Sequence, residues 1–250
     1  MFDLALLAIA GFLAGVVNSI AGGGTFLTFP ALVAVGVPPV AANATSSVAV
    51  TPGYLGGALG FLPEIRKIPL RTRIRLIAVA LFGGLIGSLL LLVSSNDVFA
   101  AVVPFLLFFA TTAFLAGNQL REWAVSRNLG LAPEGAVGLL FVALYGGYFN
   151  GGLGIVLLAL FALWGWRDLN QMNGIKALLS FALSGISVLI FALGGLVLWP
   201  QALLMMAFAI LGGYSGTRFA RWLPINMVRI GIGAIGYGMS GVFLYRLMFP

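Results

Sequence analysis

The chain has 250 residues, of which 61% are hydrophobic and only 8% carry a charge. Soluble proteins carry about 25% charged residues, so this composition indicates an integral membrane protein embedded in a lipid bilayer. Histidine and cysteine are both absent, which excludes disulfides, Cys/His metal sites and Ser-His-Asp triads. We therefore expect no cofactor, no metal site and no enzymatic activity. The excess of 13 basic over 6 acidic residues marks membrane topology, and we expect no binding to nucleic acid.

Ten apolar segments, S1 to S10, are predicted by breaking the charge-free runs at proline, glycine clusters and polar residues. S2 and S7 are too short to span, since a spanning helix needs about 20 residues, and each follows a glycine cluster. We expect S1–S2 and S6–S7 to be pairs that are broken or re-entrant near the middle of the membrane. The segments lie at about 4–21, 25–36, 40–62, 76–95, 98–118, 135–149, 153–166, 170–195, 200–217 and 226–246.

The loops predict the orientation of the chain. Basic residues are concentrated in the segments 63–75, 119–134 and 217–226, whereas 94–97 and 196–200 contain none. Because basic loops of membrane proteins lie inside the cell, both chain termini are predicted to lie outside. The expected location is a cell membrane, such as a bacterial inner membrane, which the chain crosses several times.

The two halves of the chain resemble one another. Gly22 aligns with Gly152, Gly24 with Gly154 and Asn43 with Asn173, and the pattern of segments also repeats, although glycine-rich sequence can align with itself by chance. We interpret 1–118 and 135–250 as two five-segment repeats joined by a cytoplasmic linker, 119–134. Five is odd, so the second repeat enters the membrane inverted. The predicted fold is an all-α polytopic membrane protein with two inverted repeats and broken glycine-rich helices, an architecture typical of secondary transporters.

Two stretches resemble the signatures of a known family. The stretch from Ala10 to Gly24, with 30–32 and 38–47, resembles the first signature of the TauE/SafE sulfite exporter family. The segment 146–154 followed by 173–179 resembles the second signature, and the resemblance covers nearly the whole chain. It implies permeation of small organosulfur or carboxylate anions, such as sulfite and sulfonates.

The glycine clusters are candidate anion sites. Gly22, Gly23 and Gly24 lie where the first broken helix restarts, and Gly152 and Gly154 lie at the second break. A helix N-terminus presents unpaired N–H groups and a partial positive charge, and glycine lets a ligand approach this backbone. The alternative is that these glycines serve close packing between helices.

Polar residues inside apolar stretches are further candidates. Their hydroxyl and amide groups could donate hydrogen bonds to an oxyanion. Interhelical hydrogen bonds and helix caps are the alternative roles. The residues are Asn18, Asn43, Thr45, Ser46, Asn150 and Asn173.

Lys176 is the most specific candidate, because ionisable residues inside a membrane segment are rare and usually functional. Asn173 precedes Lys176 by three residues and therefore lies on the same face of the helix. An ammonium facing a pathway would attract anions. Snorkelling to the interface, or pairing with Asp168, is the alternative.

The resemblance, together with the repeat pattern, implies an exporter of small anions that works by alternating access. No carboxylate is predicted inside a span, and an anion leaving a negative-inside cell gains about 2.3 kcal/mol per charge per 100 mV. An anion channel with a continuous pore is the alternative function. The expected partners are the small anion and the lipid bilayer, and the sequence predicts no particular oligomeric state.

Overall fold

The computed structural model describes residues 2–20, 23–117, 119, 122–123, 135–219 and 225–249. The predicted linker 119–134 thus falls almost entirely outside the described residues. Within these ranges all regular secondary structure is helical, which confirms the all-α prediction. The helices are α1 Phe2–Ile20, α2 Thr25–Ala34, α3 Pro39–Gly60, α4 Leu62–Lys67, α5 Leu70–Val93, α6 Asn96–Leu115, α7 Ala136–Phe149, α8 Leu153–Leu163, α9 Leu169–Leu193, α10 Trp199–Phe219 and α11 Ile225–Met248.

The basic segment 63–75 is helical, so its prediction as a loop was wrong. It contains α4 and the first turns of α5. Pro63 occupies the first turn of α4 and Pro69 immediately precedes α5. Proline is favoured at the start of a helix because its φ is already set and its missing N–H would have no partner there. Arginine is also a good helix former, so a high charge density did not signal a loop.

Four of the described helices are long and apolar enough to cross a membrane: α5, α6, α9 and the part of α11 from Ile230 to Met248. Shorter apolar helices are found at the two predicted breaks, namely α1 up to Asn18, α2, α7 and α8. Length and composition therefore agree with a polytopic membrane protein.

Two helix pairs pack with their backbones in contact. The helix α1 packs along α10, and α5 packs along α7. A Cβ at Gly15 would collide with the carbonyl oxygen of Ala209, and a Cβ at Gly87 would collide with that of Leu144. Only glycine permits this approach, as is common between membrane helices. The glycine-rich helices α5 and α10 each pack against the first helix of the other half.

The helices α7 and α8 form an antiparallel pair. A Cβ at Gly138 would lie 3.0 Å from the Leu160 side chain, and one at Gly146 would lie 2.7 Å from that of Leu153. The chain reverses at Asn150 to Gly152, where Asn150 has φ 51° and Gly152 has φ 68°. The helices α1 and α2 also pack on one another across the first break.

An aromatic cluster packs the end of the molecule at which α3, α6 and α10 begin. The ring of Phe29 lies 6.3 Å from that of Phe99 and 5.8 Å from that of Phe149. It also stacks on Phe243 at 6.1 Å. The first three side chains are at most 1% exposed, so these rings are packed inside the protein at this end.

Candidate functional site

A cavity of about 680 Å³ lies where the two helix breaks meet α3, α9 and α10. Small-molecule sites commonly have volumes of about 300–1,000 Å³. The predicted site residues that line this cavity are Asn18, Gly23, Asn150, Gly152, Gly154, Asn173 and Lys176. Residues from both halves of the sequence therefore meet around one space.

Lys176 supplies the cavity with a cation. It lies about two turns into α9 and is half-buried. Its Nζ donates to Oδ1 of Asn173 at 2.8 Å. Asp168 is occupied elsewhere, because its carboxylate accepts the N–H groups of Asn170 and Gln171 and thereby caps α9. The described cavity lining contains no acidic side chain, so no carboxylate there neutralises the ammonium.

Gly154 makes room for Lys176. A Cβ at Gly154 would lie 3.3 Å from Cδ of Lys176. The aliphatic part of Lys176 therefore packs against α8 in the space that a larger side chain at residue 154 would occupy. This contact places the lysine beside the first turn of α8.

At the first break, the Asn18 side chain binds the backbone immediately before α2. Its Oδ1 accepts the N–H groups of Gly23 at 3.0 Å and Gly24 at 2.7 Å. Gly24 does not line the cavity, and its missing side chain leaves room for Asn18, whose Nδ2 lies 2.6 Å from the position of a Cβ there. Gly22 lies outside the described residues. Asn18 thus pairs with two backbone N–H groups of this break.

At the second break, Asn150 makes a different set of contacts. Its Oδ1 accepts from the Tyr54 hydroxyl at 3.3 Å, and its Nδ2 donates to Oγ of Ser184 at 3.2 Å. No side chain caps α8. The N–H groups of Leu153 and Gly154, in its first turn, therefore lack an acceptor among the described residues. The second break thus leaves these two N–H groups without an acceptor in the described part of the chain, whereas at the first break Asn18 accepts two.

Asn43, Thr45 and Ser46 are buried but do not line the cavity. Their side chains instead tie α3 to α7, to the segment before α10 and to α2. This arrangement matches the interhelical alternative that the sequence left open. The bonds join Asn43 Nδ2 to Tyr148 O at 2.8 Å, Leu198 N to Thr45 Oγ1 at 3.1 Å, and Thr28 Oγ1 to Ser46 Oγ at 2.6 Å.

Thr25, Tyr54 and Ser180 are among the polar lining residues that were not predicted from the sequence. Ser180 follows Lys176 by four residues and therefore lies on the same face of α9. That spacing could have identified it. Tyr54 carried no comparable signal, because its role depends on a contact between α3 and the distant α7–α8 break.

Comparison with known proteins places the whole chain in one group. A family model described as "Sulfite exporter TauE/SafE" matches residues 7–243. The chain is 29% identical over 243 residues to a "Probable membrane transporter protein" of Haemophilus influenzae, an alignment that covers 97% of this chain and 94% of that protein. It is also 29% identical to the "Probable membrane transporter protein YfcA" of Escherichia coli K12, over 97% of this chain and 90% of the relative.

A third relative is the "Probable membrane transporter protein ORF9" of a Sinorhizobium species, 30% identical over 87% of this chain and 83% of the relative. No solved structure matches the chain significantly. Because the family model extends over almost the entire sequence, the chain belongs to the TauE/SafE sulfite exporter family of membrane transporters.

Proposed function

We propose that the protein exports small anions, most suitably sulfite, sulfonates or related organosulfur and carboxylate anions, and that they bind in the cavity at the two breaks. The observation that carries this proposal is Lys176, a cation in a cavity whose described lining contains no acid. An ammonium without a counterion, partly shielded from water, favours binding of an anion. The membership of a transporter family supports the same conclusion.

The halves 1–118 and 135–250 act in this proposal as inverted repeats. Their packing supports this idea, because helices at equivalent positions in the two halves pack against equivalent helices. The helix α1 packs on α10 as its counterpart α7 packs on α5, and α3 packs on α10 as α9 packs on α5. The helices α3 and α9, which are counterparts of each other, pack together. Such symmetry would allow the halves to rock about a central site.

The helix pairs α1–α2 and α7–α8 are proposed to be re-entrant from opposite sides. Gly83 of α5 approaches Leu140 of α7, and Gly87 approaches Leu144, so these two helices run in parallel. Both would start at the side of the protein that carries the basic segment 63–75, and α8 would return to that side before α9 begins. By the same argument α1 runs parallel to α10 and starts at the opposite side. The turn between α7 and α8 approaches α2 at Gly152, where a Cβ would lie 3.5 Å from the Phe26 ring.

We take the described state to be open towards the cytoplasm. Gly56 and Tyr214 line the cavity and are exposed. They lie near the ends of α3 and α10, close in sequence to Arg66 and Arg218. With basic residues inside, this end faces the cytoplasm. The opposite end is blocked by the buried aromatic cluster around Phe29, so release outside would require the cluster to separate.

This closed end favours a carrier over a channel. A continuous pore would have to pass between rings that are packed and fully buried, whereas a carrier needs only one open end at a time. Alternating access therefore fits the described state better than a permanent pore.

Flux measurements on purified protein in proteoliposomes test the function. We expect saturable uptake or efflux of sulfite and methanesulfonate, with acceleration by the same anion on the other side, as for a carrier. Unitary currents in planar bilayers would instead support the channel. Absence of flux for sulfite, sulfonates and short carboxylates alike would contradict the proposal.

A further inference from the structure

Ser180 is a buried serine whose hydroxyl makes no bond. It lines the cavity and is 1% exposed. Its Oγ is buried and has no hydrogen-bond partner in the part of the chain that the structure describes. Buried polar groups are nearly always paired, so an unpaired hydroxyl beside a cavity suggests a partner that arrives with a ligand.

Other buried serines in the described helices differ in this respect. Ser47 and Ser187 each donate to the backbone carbonyl four residues before them. Ser184 accepts from Asn150. A serine inside a helix commonly bonds its own backbone in this way. Ser180 does not, so its hydroxyl stays unpaired at the wall of the cavity.

The surroundings of Ser180 are electropositive. Lys176 precedes it by one turn on the same face of α9, and the lysine stem crosses Gly154 in the first turn of α8. The free N–H groups of Leu153 and Gly154 add the partial positive charge of a helix N-terminus. At the other break, the Asn18 carbonyl already accepts the equivalent amides. The N–H groups of Leu153 and Gly154 therefore lack the side-chain acceptor that Asn18 provides at the first break.

We infer that Ser180, Lys176 and the first N–H groups of α8 together bind the head group of the transported anion, and that this site selects a three-oxygen head group such as sulfite or a sulfonate. The inference rests on the proposed function. Lys176 has two N–H bonds left after its bond to Asn173. Donors from Lys176 and Ser180 on α9 and from the first turn of α8 line the same cavity. Three diverging oxygens present acceptors in more directions than the two coplanar oxygens of a carboxylate, so they match donors on two helices better.

The inference is tested by Ser180→Ala, with Ser187→Ala as the matched control on the same helix. Affinities for methanesulfonate and acetate are measured by calorimetry on the purified full-length protein, together with thermal stability without ligand. Ser180→Ala should weaken methanesulfonate binding about tenfold or more, the effect of losing a hydrogen bond to a charged group. Acetate binding should change less. The stability of the ligand-free protein should not fall, because the variant removes no existing bond.

The control should behave in the opposite way. Ser187→Ala removes the bond to Leu183 and should lower stability while leaving both affinities within about twofold. A Ser180→Ala variant with unchanged methanesulfonate affinity would overturn the role of Ser180, and so would an equal loss for methanesulfonate and acetate. If Lys176→Met still weakens binding in that case, the proposed anion function stands without Ser180. If the unmodified protein binds neither anion, the proposed function itself fails.

Discussion

The hydroxyl of Tyr54 donates to Oδ1 of Asn150 at 3.3 Å. This bond connects α3, in the first half of the sequence, with the break between α7 and α8 in the second half. Asn150 has a left-handed backbone with φ 51°, which is uncommon for a residue other than glycine. The bond to Tyr54 and the bond to Ser184 therefore hold the break in a conformation that the backbone alone does not favour.

Removing the Tyr54 hydroxyl should loosen the second break. We expect Tyr54→Phe to lower the free energy of unfolding by about 1 kcal/mol, the value of one hydrogen bond, and to reduce the rate of anion flux. Tyr237→Phe is the control, since the Tyr237 hydroxyl pairs with Thr112 at 3.0 Å in an exposed position. Flux in proteoliposomes and thermal unfolding give the two readouts. Equal flux in both variants would show that Tyr54 does not position the break.

Gly152 should tolerate no side chain. Its φ of 68° costs other residues about 1–2 kcal/mol, and a Cβ would lie 3.3 Å from that of Ala110. Gly165→Ala is a matched control, because Gly165 has φ 84° and nothing within 4 Å of a Cβ. Both alanine variants should lose stability, but only Gly152→Ala should also lose anion flux. Loss of flux in both, or in neither, would contradict a specific role for this break.

The close contact of α5 with α7 should depend on glycine. A Cβ at Gly87 would collide with the Leu144 carbonyl, so Gly87→Ala should destabilise the protein by about 1–3 kcal/mol through overpacking. Gly185→Ala in α9 should instead stabilise it by about 0.5–1 kcal/mol, since a Cβ there meets nothing within 4 Å and alanine favours a helix. Thermal unfolding measures both. A destabilising Gly185→Ala would contradict the argument.

The predicted topology can be tested in a chain that contains no native cysteine. Ser95 and Arg71 are exposed and lie at opposite ends of α5. A membrane-impermeant maleimide added to intact cells should label Ser95→Cys and should label Arg71→Cys only after lysis. Labelling of Arg71→Cys in intact cells would reverse the orientation and place the cavity mouth outside.

The helices were predictable because glycine clusters, prolines and runs without charge are local signals. The second helix, α2, begins at residue 25, as the glycines before it indicated. The partners of polar residues were not predictable in this way. Asn43 and Asn173 align in the two halves, yet Asn43 bonds the Tyr148 carbonyl and Asn173 bonds Lys176. A polar residue in an apolar segment signals burial, whereas its partner depends on which distant helix packs beside it.

Ser180 escaped prediction for a related reason. A serine in an apolar helix usually bonds its own backbone, so its spacing of four residues from Lys176 was the one signal that could have singled it out. Lys176 was predictable because a charge in a membrane segment is costly wherever it points. The inverted repeat and the assignment of the site residues stay predictions that the experiments above address.

Binding of the transported anion by Lys176 is tested most directly by the dissociation constant of sulfite or methanesulfonate for Lys176→Met. Lys67→Met is the matched control, since Lys67 is exposed at the end of α4 and is the other lysine of the sequence. Loss of the ammonium should weaken binding about 10- to 150-fold, corresponding to about 1.5–3 kcal/mol. Lys67→Met should leave it within about twofold. An unchanged dissociation constant in Lys176→Met would contradict the account.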